Sequence, residues 1–170
     1  MAAAFKQTSQ LLNLGAAVTE TGANTFTQEE QTLPLSSLDR EIFVVTDIQI
    51  EAGLPDTRAG QDTQVLAMVT KSSQDAMLNI NSPTVIGVAA LNLTSAGAEV
   101  SGPHSRKFPV VDSTGMKQDY LAIIATPNFF LSVKGNGNVG AKSSQVRITG
   151  YRAKAQADTY AALVTEELNQ

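Results

Sequence analysis

The clearest pattern along the chain is a strict alternation of side-chain character over residues 41–51. Every second position is aliphatic or threonine, at Ile42, Val44, Thr46, Ile48 and Ile50. The positions between them begin apolar and end polar. A period of two is typical of a strand, because successive side chains point to opposite faces of a sheet. The pattern therefore predicts a β-strand over Glu41–Glu51.

Shorter apolar runs between Gly-, Pro- and Ser-bearing segments predict further strands. They are Gly15–Thr19, Thr25–Leu33, Gln64–Lys71, Val85–Leu93, Phe108–Val111, Tyr120–Thr126, Phe129–Lys134 and Gln145–Ala157. The run over 85–93 is long and contains alanines, so strand and helix both remain open there. Between two of these runs, Ser95–Lys107 contains two glycines and a proline and is interpreted as a long loop.

The last predicted strand changes its face parity in the middle. Val146 and Ile148 share one parity before Gly150, whereas Tyr151 and Ala153 take the other parity after it. One extra residue in a strand produces such a change. The sequence therefore predicts a β-bulge at Gly150.

A helical pattern closes the chain. Asp158 is positioned to cap a helix, because its carboxylate can accept the free amides of a first turn. Apolar residues then recur at helical spacing together with one glutamate: Tyr160, Leu163, Val164 and Glu167, with Leu168 beside them. A helix of about ten residues is marginal in isolation, so this face must pack against something.

These elements together predict an all-β protein. The expected fold is an antiparallel β-sandwich or single jelly roll of about eight strands, with an N-terminal arm and a short C-terminal helix. We divide the chain into an arm with short strands over 1–37, a jelly-roll-like sandwich over 38–157 and a helix over 158–170. No apolar run reaches 18 residues, so no membrane span is predicted.

Charge is scarce and unevenly placed. Charged residues make up 16% of the chain, against about 25% in an average protein. This depletion suits a subunit whose surfaces pack against neighbours, and a low-charge soluble domain is the plainer interpretation. Residues 1–100 hold eleven acids and four bases, whereas residues 101–154 hold two acids and eight bases. Such asymmetry can steer an acidic face of one copy onto a basic face of another.

Sequence motifs for phosphate binding and for thiol chemistry are weak or missing. The run Gly135–Ser143 approaches a P-loop, but Ala141 separates Gly140 from Lys142, and the following segment is predicted as a strand where a phosphate site needs a helix. A flexible β-hairpin turn explains the glycines of 135–140 better. The chain has no cysteine, so thiolate metal sites and cysteine nucleophiles are excluded.

The remaining titratable residues lack a recognisable catalytic context. His104 is the single histidine, and its neighbours Arg106 and Lys107 favour a solvated loop. Nearby Ser101, Ser105 and Asp112 do not define a triad, because closeness in sequence does not build one. The acids available for acid–base work are better explained as solvated edges and loop caps; they are Asp47, Glu51, Asp56, Asp62 and Asp75. We therefore predict no enzymatic activity and no metal or other cofactor.

The chain resembles single-jelly-roll coat proteins of small icosahedral or tailless viruses. The resemblance covers about residues 38–170 and is architectural. It is carried by the strand Arg40–Ile50, the strand pair Asp119–Val133 and the final strand piece Arg147–Tyr151. Many such proteins have a strongly basic arm, whereas residues 1–40 here hold four acids and two bases, which puts genome binding by this arm in doubt.

The resemblance implies a capsid subunit that self-assembles into an icosahedral shell in the virion, after synthesis in the host cytoplasm. Its expected partners are further copies and other virion proteins, and the basic region 106–154 is suited to non-specific contact with packaged nucleic acid. The predicted subunit-interface residues are Tyr160, Leu163, Val164 and Leu168.

Two other functions fit the same pattern. A phage decoration or tail-type subunit would bind a pre-formed lattice and form a small oligomer. A carbohydrate-binding β-sandwich would need an exposed aromatic platform, and the candidates in this tryptophan-free chain are Tyr120, Phe129, Phe130 and Tyr151.

Overall fold

The computed structural model describes residues 5–96, 99–108 and 120–168, which form ten strands and one helix. In chain order these are β1 Phe5–Gln7, β2 Leu12–Thr19, β3 Thr27–Thr32, β4 Glu41–Ala52, β5 Thr63–Thr70, β6 Val85–Ala96, β7 Glu99–Phe108, β8 Ala122–Ile124, β9 Asn128–Asn136, β10 Ser143–Ala155 and α1 Ala157–Leu168.

The strands form two five-stranded antiparallel sheets. Sheet A has the order β1-β10-β4-β8, and β2 also pairs with β10. Sheet B has the order β3-β9-β5-β6-β7. The pairs β5–β6, β4–β8, β3–β9 and β2–β10 nest inside one another along the chain, as in a single long hairpin wound around a core. This is the connectivity of a jelly roll, so the predicted all-β sandwich is confirmed, with β1 and β7 as additional strands.

The core lies between the two sheets. Phe43 and Ile148 of sheet A meet Phe129 and Leu131 of sheet B in one cluster of buried residues. Each of these side chains is at most 2% exposed. They come from alternate positions of their strands, as the pattern of two requires.

Strand β4 is buried on both of its faces near its start. Phe43 and Val45 point into the core, whereas Ile42 and Val44 belong to a second cluster on the outer face of sheet A. Helix α1 covers this second cluster with partly buried apolar side chains.

Because the register of β4 with β10 passes over Thr46, Ile48 and Ile50 join the core together with Phe43 and Val45. The prediction that Ile42 to Ile50 share one face was therefore wrong, since α1 covers Ile42 and Val44 while the core takes Ile48 and Ile50.

The ambiguous run at 85–93 is a strand, because β6 pairs with β5 over most of its length. The prediction of a loop over Ser95–Lys107 was wrong, since β6 continues to Ala96 and β7 begins at Glu99. Strand β7 pairs with β6 alone among the described strands, and an edge position accommodates a proline such as Pro103. The predicted strand Phe108–Val111 begins on the last residue of β7, and its other residues lie outside the described part of the chain.

The irregularity predicted at Gly150 is present, but the extra residue belongs to β4, because Thr149 pairs with Asp47 and Gly150 pairs with Val45, which leaves Thr46 out of the register. The register of β10 against β4 shifts between Thr149 and Gly150. A Cβ atom on Gly150 would lie 2.3 Å from the carbonyl oxygen of Val44 and 2.7 Å from the ring of Phe43. The close approach of two backbones at the bulge therefore requires glycine.

The β-hairpin predicted at residues 135–140 was wrong. Strands β9 and β10, which flank the segment, lie in different sheets, so the segment is a crossing between sheets. Gly137 has a φ of +69°, and a Cβ there would lie 2.5 Å from the carbonyl oxygen of Asp62. Glycine is needed there for a close backbone contact and not for a two-residue hairpin turn.

The C-terminal helix is confirmed, although its start differs from the prediction. Helix α1 begins at Ala157, so Asp158 lies in the first turn and is not the residue before the helix. A carboxylate in a first turn still favours the helix dipole. The last predicted helix residues, 169 and 170, lie outside the described part of the chain.

The short strands predicted near the N-terminus are also present. Strand β2 pairs with β10 through eight consecutive residues, and β3 pairs with β9 through six. Both are thus edges of the two sheets within the region interpreted from sequence as an arm over residues 1–37.

Candidate functional site

Polar side chains from three connections converge at one end of the sandwich. The connections are residues 20–26, 53–62 and 137–142, which join β2 to β3, β4 to β5 and β9 to β10. We call the group the polar clasp, and its members are Glu20, Asn24, Asp56, Asn138 and Lys142.

Asn138 is the centre of the polar clasp. Its side chain accepts a hydrogen bond from the amide of Asp56 at 2.8 Å and donates one to the carbonyl of Gln64 at 2.8 Å. Asn24 binds its backbone on both sides, accepting from the amide of Asn138 at 2.9 Å and donating to its carbonyl at 2.8 Å. Asn138 is 4% exposed, so these bonds satisfy polar atoms that burial removes from water.

Glu20 fastens the end of β9 to the start of β10. Its carboxylate accepts from the amide of Gly135 at 2.6 Å and from the amide of Lys142 at 2.8 Å. The residue is 4% exposed. Charged acceptors make stronger bonds to backbone amides than neutral ones, so these two amides stabilise the buried glutamate.

Asp56 carries the perturbed carboxyl group of the polar clasp. Its Oδ1 accepts from the ammonium group of Lys142, and its Oδ2 accepts from the amides of Val139 at 2.8 Å and Gly140 at 3.1 Å. The bond from Lys142, followed by those of the Gly140 and Val139 amides, lowers the pKa of Asp56 from 3.8 to about 2.

The polar clasp joins the three connections, and its charged groups are occupied by partners within the chain. Lys142, the lysine of the P-loop-like run, binds Asp56, and the segment after it is strand β10. Both carboxylates already accept two or more hydrogen bonds. No local pattern marks Glu20 or Asn138, because Glu20 lies 115 positions from Gly135 and Asn138 lies 82 positions from Asp56.

We expect Asp56→Asn to lower the melting temperature at pH 7 and to flatten the loss of stability in acid. A lowered folded-state pKa stabilises the protein fully above the unfolded value, and this contribution is lost as pH falls from about 4 to about 2. Thermal unfolding followed by circular dichroism between pH 2 and pH 7 measures both effects. Asp75→Asn is the control, because Asp75 is an exposed loop carboxylate. An equal acid slope in both variants would contradict this role for Asp56.

The helix face predicted as a subunit interface is largely covered within the chain. Tyr160, Leu163 and Val164 are partly buried against the outer face of sheet A, next to Ile42 and Val44. The fourth predicted residue, Leu168, is 72% exposed. A role for these residues between subunits remains a prediction.

Glu167 anchors the end of α1 to the segment after β8. Its Oε1 accepts from the amide of Ala125 at 2.9 Å. Its Oε2 accepts from the amide and the hydroxyl of Thr126, both at 2.9 Å. The residue is 4% exposed. Pro127 follows directly, so this carboxylate binds the two backbone amides before a residue that has none.

The other residues singled out from sequence are dispersed. Asp62 accepts from the amide of Ser95 at 2.8 Å, and Gln49 donates to Asp47 at 3.3 Å. His104 lies in β7 opposite Asn92, while Asp112 falls outside the described residues. Within residues 5–96, 99–108 and 120–168, no three His, Asp or Glu side chains are placed to hold a metal ion.

The bases of the region 106–154 are also spread over the sandwich. Arg152 lies 3.7 Å from Glu41, and Lys154 lies 3.6 Å from Asp39. Arg147 is exposed in β10 opposite Gly15 of β2. Lys117 falls outside the described residues. Several of these bases therefore face acids of the same chain, and nucleic-acid contact remains a prediction.

A groove of about 570 Å³ lies beside β1, the end of β10 and the start of α1. Three cationic residues line it, and two of them, Lys6 and Lys154, are direct cross-strand partners. Arg40 is the third, with a φ of +56°. The ion pair of Lys154 with Asp39 is mostly exposed and offsets part of this charge.

No protein-family model matches the chain, and no curated protein matches it significantly. None of the helices in the described ranges has the length and apolar character needed to cross a membrane.

Proposed function

We propose that the protein is a virion structural protein, a capsid subunit that assembles with its own copies into an icosahedral shell. The observation that carries this proposal is the nested strand order of the two sheets, which is that of a single jelly roll. Viral capsid domains are one of the main users of this architecture. Because one fold hosts many functions, support for a capsid subunit must also come from the packed interior and the exposed side chains of the sandwich.

The packed interior of the sandwich favours a structural role over the binding of a small molecule. Proteins that bind a small molecule within a β-barrel keep an open mouth or cavity. Here aliphatic and phenyl side chains of both sheets occupy the space between them, with Phe43, Phe129 and Leu131 at its centre. The sandwich interior is thus used for stability, and its outer surfaces are left for function.

Large apolar side chains are exposed in the connections at both ends of the sandwich. Leu54 and Val139, in the two connections that Asp56 joins, are 79% and 71% exposed. Leu38, between β3 and β4, is 95% exposed, and Leu11, between β1 and β2, is 61% exposed. Contacts between copies at these connections would remove the apolar side chains from water, which is favourable.

The aromatic residues give less support to carbohydrate binding. Phe129 is in the core, Phe130 is half-buried in β9, and Tyr151 packs against the cluster that α1 covers. Tyr120 is 39% exposed and stacks edge-on against Phe5, with ring centroids 6.0 Å apart. The described candidates therefore form no flat exposed platform of the kind that a sugar ring stacks on.

Electron microscopy of the purified protein, with its mass measured by light scattering, tests the proposal. We expect closed particles of uniform size, together with free subunits whose fraction falls as protein concentration rises. Discrete trimers or rings without closed particles would replace the capsid function by that of a decoration or tail-type subunit. A monomer at every concentration and ionic strength would overturn both.

A further inference from the structure

Strand β2 is a long edge strand that lacks the usual protection against pairing with another strand. It pairs with β10 alone among the described strands, over eight consecutive residues and without a register shift. It contains no charged residue and no proline, and the nearest charges in the sequence are Lys6 and Glu20. Charged residues, prolines, bulges and short strands are the features that keep the edges of sheets from pairing.

The other edge strands of the sandwich have such features. Strand β3 presents the exposed Glu29 and Glu30, and β7 contains Pro103. Strands β1 and β8 are three residues long. Among the described edges, β2 is therefore the one most open to a further strand.

The backbone groups of β2 point alternately toward β10 and toward the open edge. The amide of Glu20, just past the strand, donates to the carbonyl of Lys142 at 2.8 Å. The next residue of β10, Ser143, instead accepts from the amide of Gly53 at 2.9 Å, on the side of β4. Because this pattern alternates along an antiparallel pair, the even-numbered residues of β2 bond to β10. The odd-numbered residues turn their amides and carbonyls outward, where no described residue bonds to them; they are Asn13, Gly15, Ala17 and Thr19.

The side chains of β2 suit an uncharged neighbouring strand on both faces. Val18 belongs to the core, and Leu12, Leu14 and Ala16 pack against the core while remaining partly exposed. The odd-numbered residues are exposed on the outer face of sheet A and are small or polar without charge. A strand added here would therefore turn apolar side chains toward the core and uncharged ones outward. Strand β2 of a second copy has this pattern.

A two-fold axis allows two β2 strands to pair antiparallel with matching faces. Side chains directly opposite each other in an antiparallel pair lie on the same face of the sheet, so even-numbered residues must lie opposite even-numbered ones. Pairing centred on Ala16 meets this condition. The pairs across the axis are then Leu14 with Val18, Gly15 with Ala17, and Asn13 with Thr19. Every outward-pointing backbone group of β2 has a partner on the other strand in this arrangement.

We propose that two copies of the chain join their sheets A through antiparallel pairing of β2 with β2, about a two-fold axis at Ala16. The partner is a second copy, so this inference rests on the proposed self-assembly and names one of its contacts. The contact uses the same surface of both copies and closes on itself, so it gives a dimer rather than a chain. An icosahedral shell contains two-fold axes on which such a dimer fits.

Cysteine cross-linking tests the register of this pair, because the chain has no cysteine of its own. The two Ala16 residues would face each other across the axis with their Cα atoms about 4.5 Å apart, which a disulfide can bridge. The two Ala17 residues would be offset by two positions and lie more than about 7 Å apart, which is too far. We expect Ala16→Cys to form a covalent dimer about tenfold faster than Ala17→Cys under mild oxidation.

The control works against the proposal, because Ala17 is the more exposed of the two residues. Cross-linking by random collision would favour the more exposed position. Equal rates for the two variants, or a faster reaction of Ala17→Cys, would overturn the pairing.

Substitutions that close the edge test the contact without cross-linking. Ala17→Pro removes an amide that points away from β10, so it costs no bond within the sheet and leaves the second copy without a donor. Ala17→Lys adds a charge at the same place and replaces the proline variant if that variant does not fold. Gln145→Lys is the matched control, because Gln145 is exposed in β10 directly opposite Ala17.

We expect the folded Ala17 variants to be monomers at concentrations where the wild type and the Gln145 control form dimers or larger particles. Light scattering measures the mass, electron microscopy shows the particles, and circular dichroism reports folding. Dimers that persist in folded Ala17→Pro and Ala17→Lys would show that β2 is not the contact.

The outcomes separate this contact from the proposed function. Closed particles that form equally well with β2 closed would overturn the β2 contact and leave the capsid proposal standing. Dimers that cross-link through Ala16→Cys, without closed particles at any concentration, would support the contact and overturn the shell. A wild-type monomer under all conditions would overturn both.

Discussion

Replacing Gly150 with alanine is expected to lower the free energy of unfolding by about 3 kcal/mol, at the upper end of the usual cost of overpacking. The new Cβ would lie 2.3 Å from the carbonyl oxygen of Val44 and against the ring of Phe43, which is fully buried. Neither neighbour is the free end of a flexible side chain, so β10 must move away from β4. Urea denaturation followed by circular dichroism measures the loss.

Gly140→Ala is the matched control for this substitution. A Cβ at Gly140 would meet no heavy atom within 4 Å. Alanine there should be neutral or should stabilise the protein by about 0.5 kcal/mol, because it restricts the unfolded chain. Similar stabilities for the two variants would show that the bulge tolerates a side chain and that the close approach has no energetic cost.

Replacing Glu167 with alanine is expected to cost about 3 kcal/mol, since hydrogen bonds to a charged group and unsatisfied buried donors each contribute at this level. The substitution removes the acceptor of the amides of Ala125 and Thr126 and of the Thr126 hydroxyl. Faster hydrogen exchange should appear in α1 and at residues 125–126, and urea denaturation should give the global loss.

Glu167→Gln separates the charge from the geometry. Glutamine keeps one oxygen acceptor but turns an NH₂ group toward donors, so its stability should lie between those of the wild type and the alanine variant. If alanine and wild type unfold at the same urea concentration, the carboxylate does not anchor the helix, and apolar packing alone holds α1 in place.

Whether Glu167 anchors α1 matters for the proposed assembly. A helix held by Glu167 and by the partly buried Tyr160, Leu163 and Val164 stays on its own sandwich. The exposed Leu168 is then the member of the predicted interface set that can reach a neighbouring copy without rearrangement. An exchanged helix would instead require these contacts to break and form again on the neighbour.

Local patterns were enough for most strands. Alternation predicted the extent of β4, because it follows from the two-residue period of a strand. The irregularity at Gly150 was predicted in position only, since its extra residue is Thr46 of β4. Local patterns failed for β7, where Gly102, Pro103 and His104 indicate a loop when taken alone. An edge strand tolerates such residues because its outer side has no ladder to complete, and β6 supplies the pairing that defines the strand.

The polar clasp could not be predicted in the same way. Asn138 and Glu20 look like ordinary loop residues, and the glycine-rich run around Asn138 was interpreted as a hairpin. Their partners are Asp56, Gln64 and Gly135, which are distant in sequence. Nothing local distinguishes a buried loop glutamate from an exposed one, because burial is decided by which connections meet at one end of the sandwich.

The sequence by itself determined the fold class, the final helix and the lack of cysteine, because these depend on periodicity and on which residue types are present. Only the tertiary structure decided that α1 covers the outer face of β4 and that residues 135–140 cross between sheets. Each of these depends on pairings between distant residues, and a local pattern of apolar and polar positions does not contain that information.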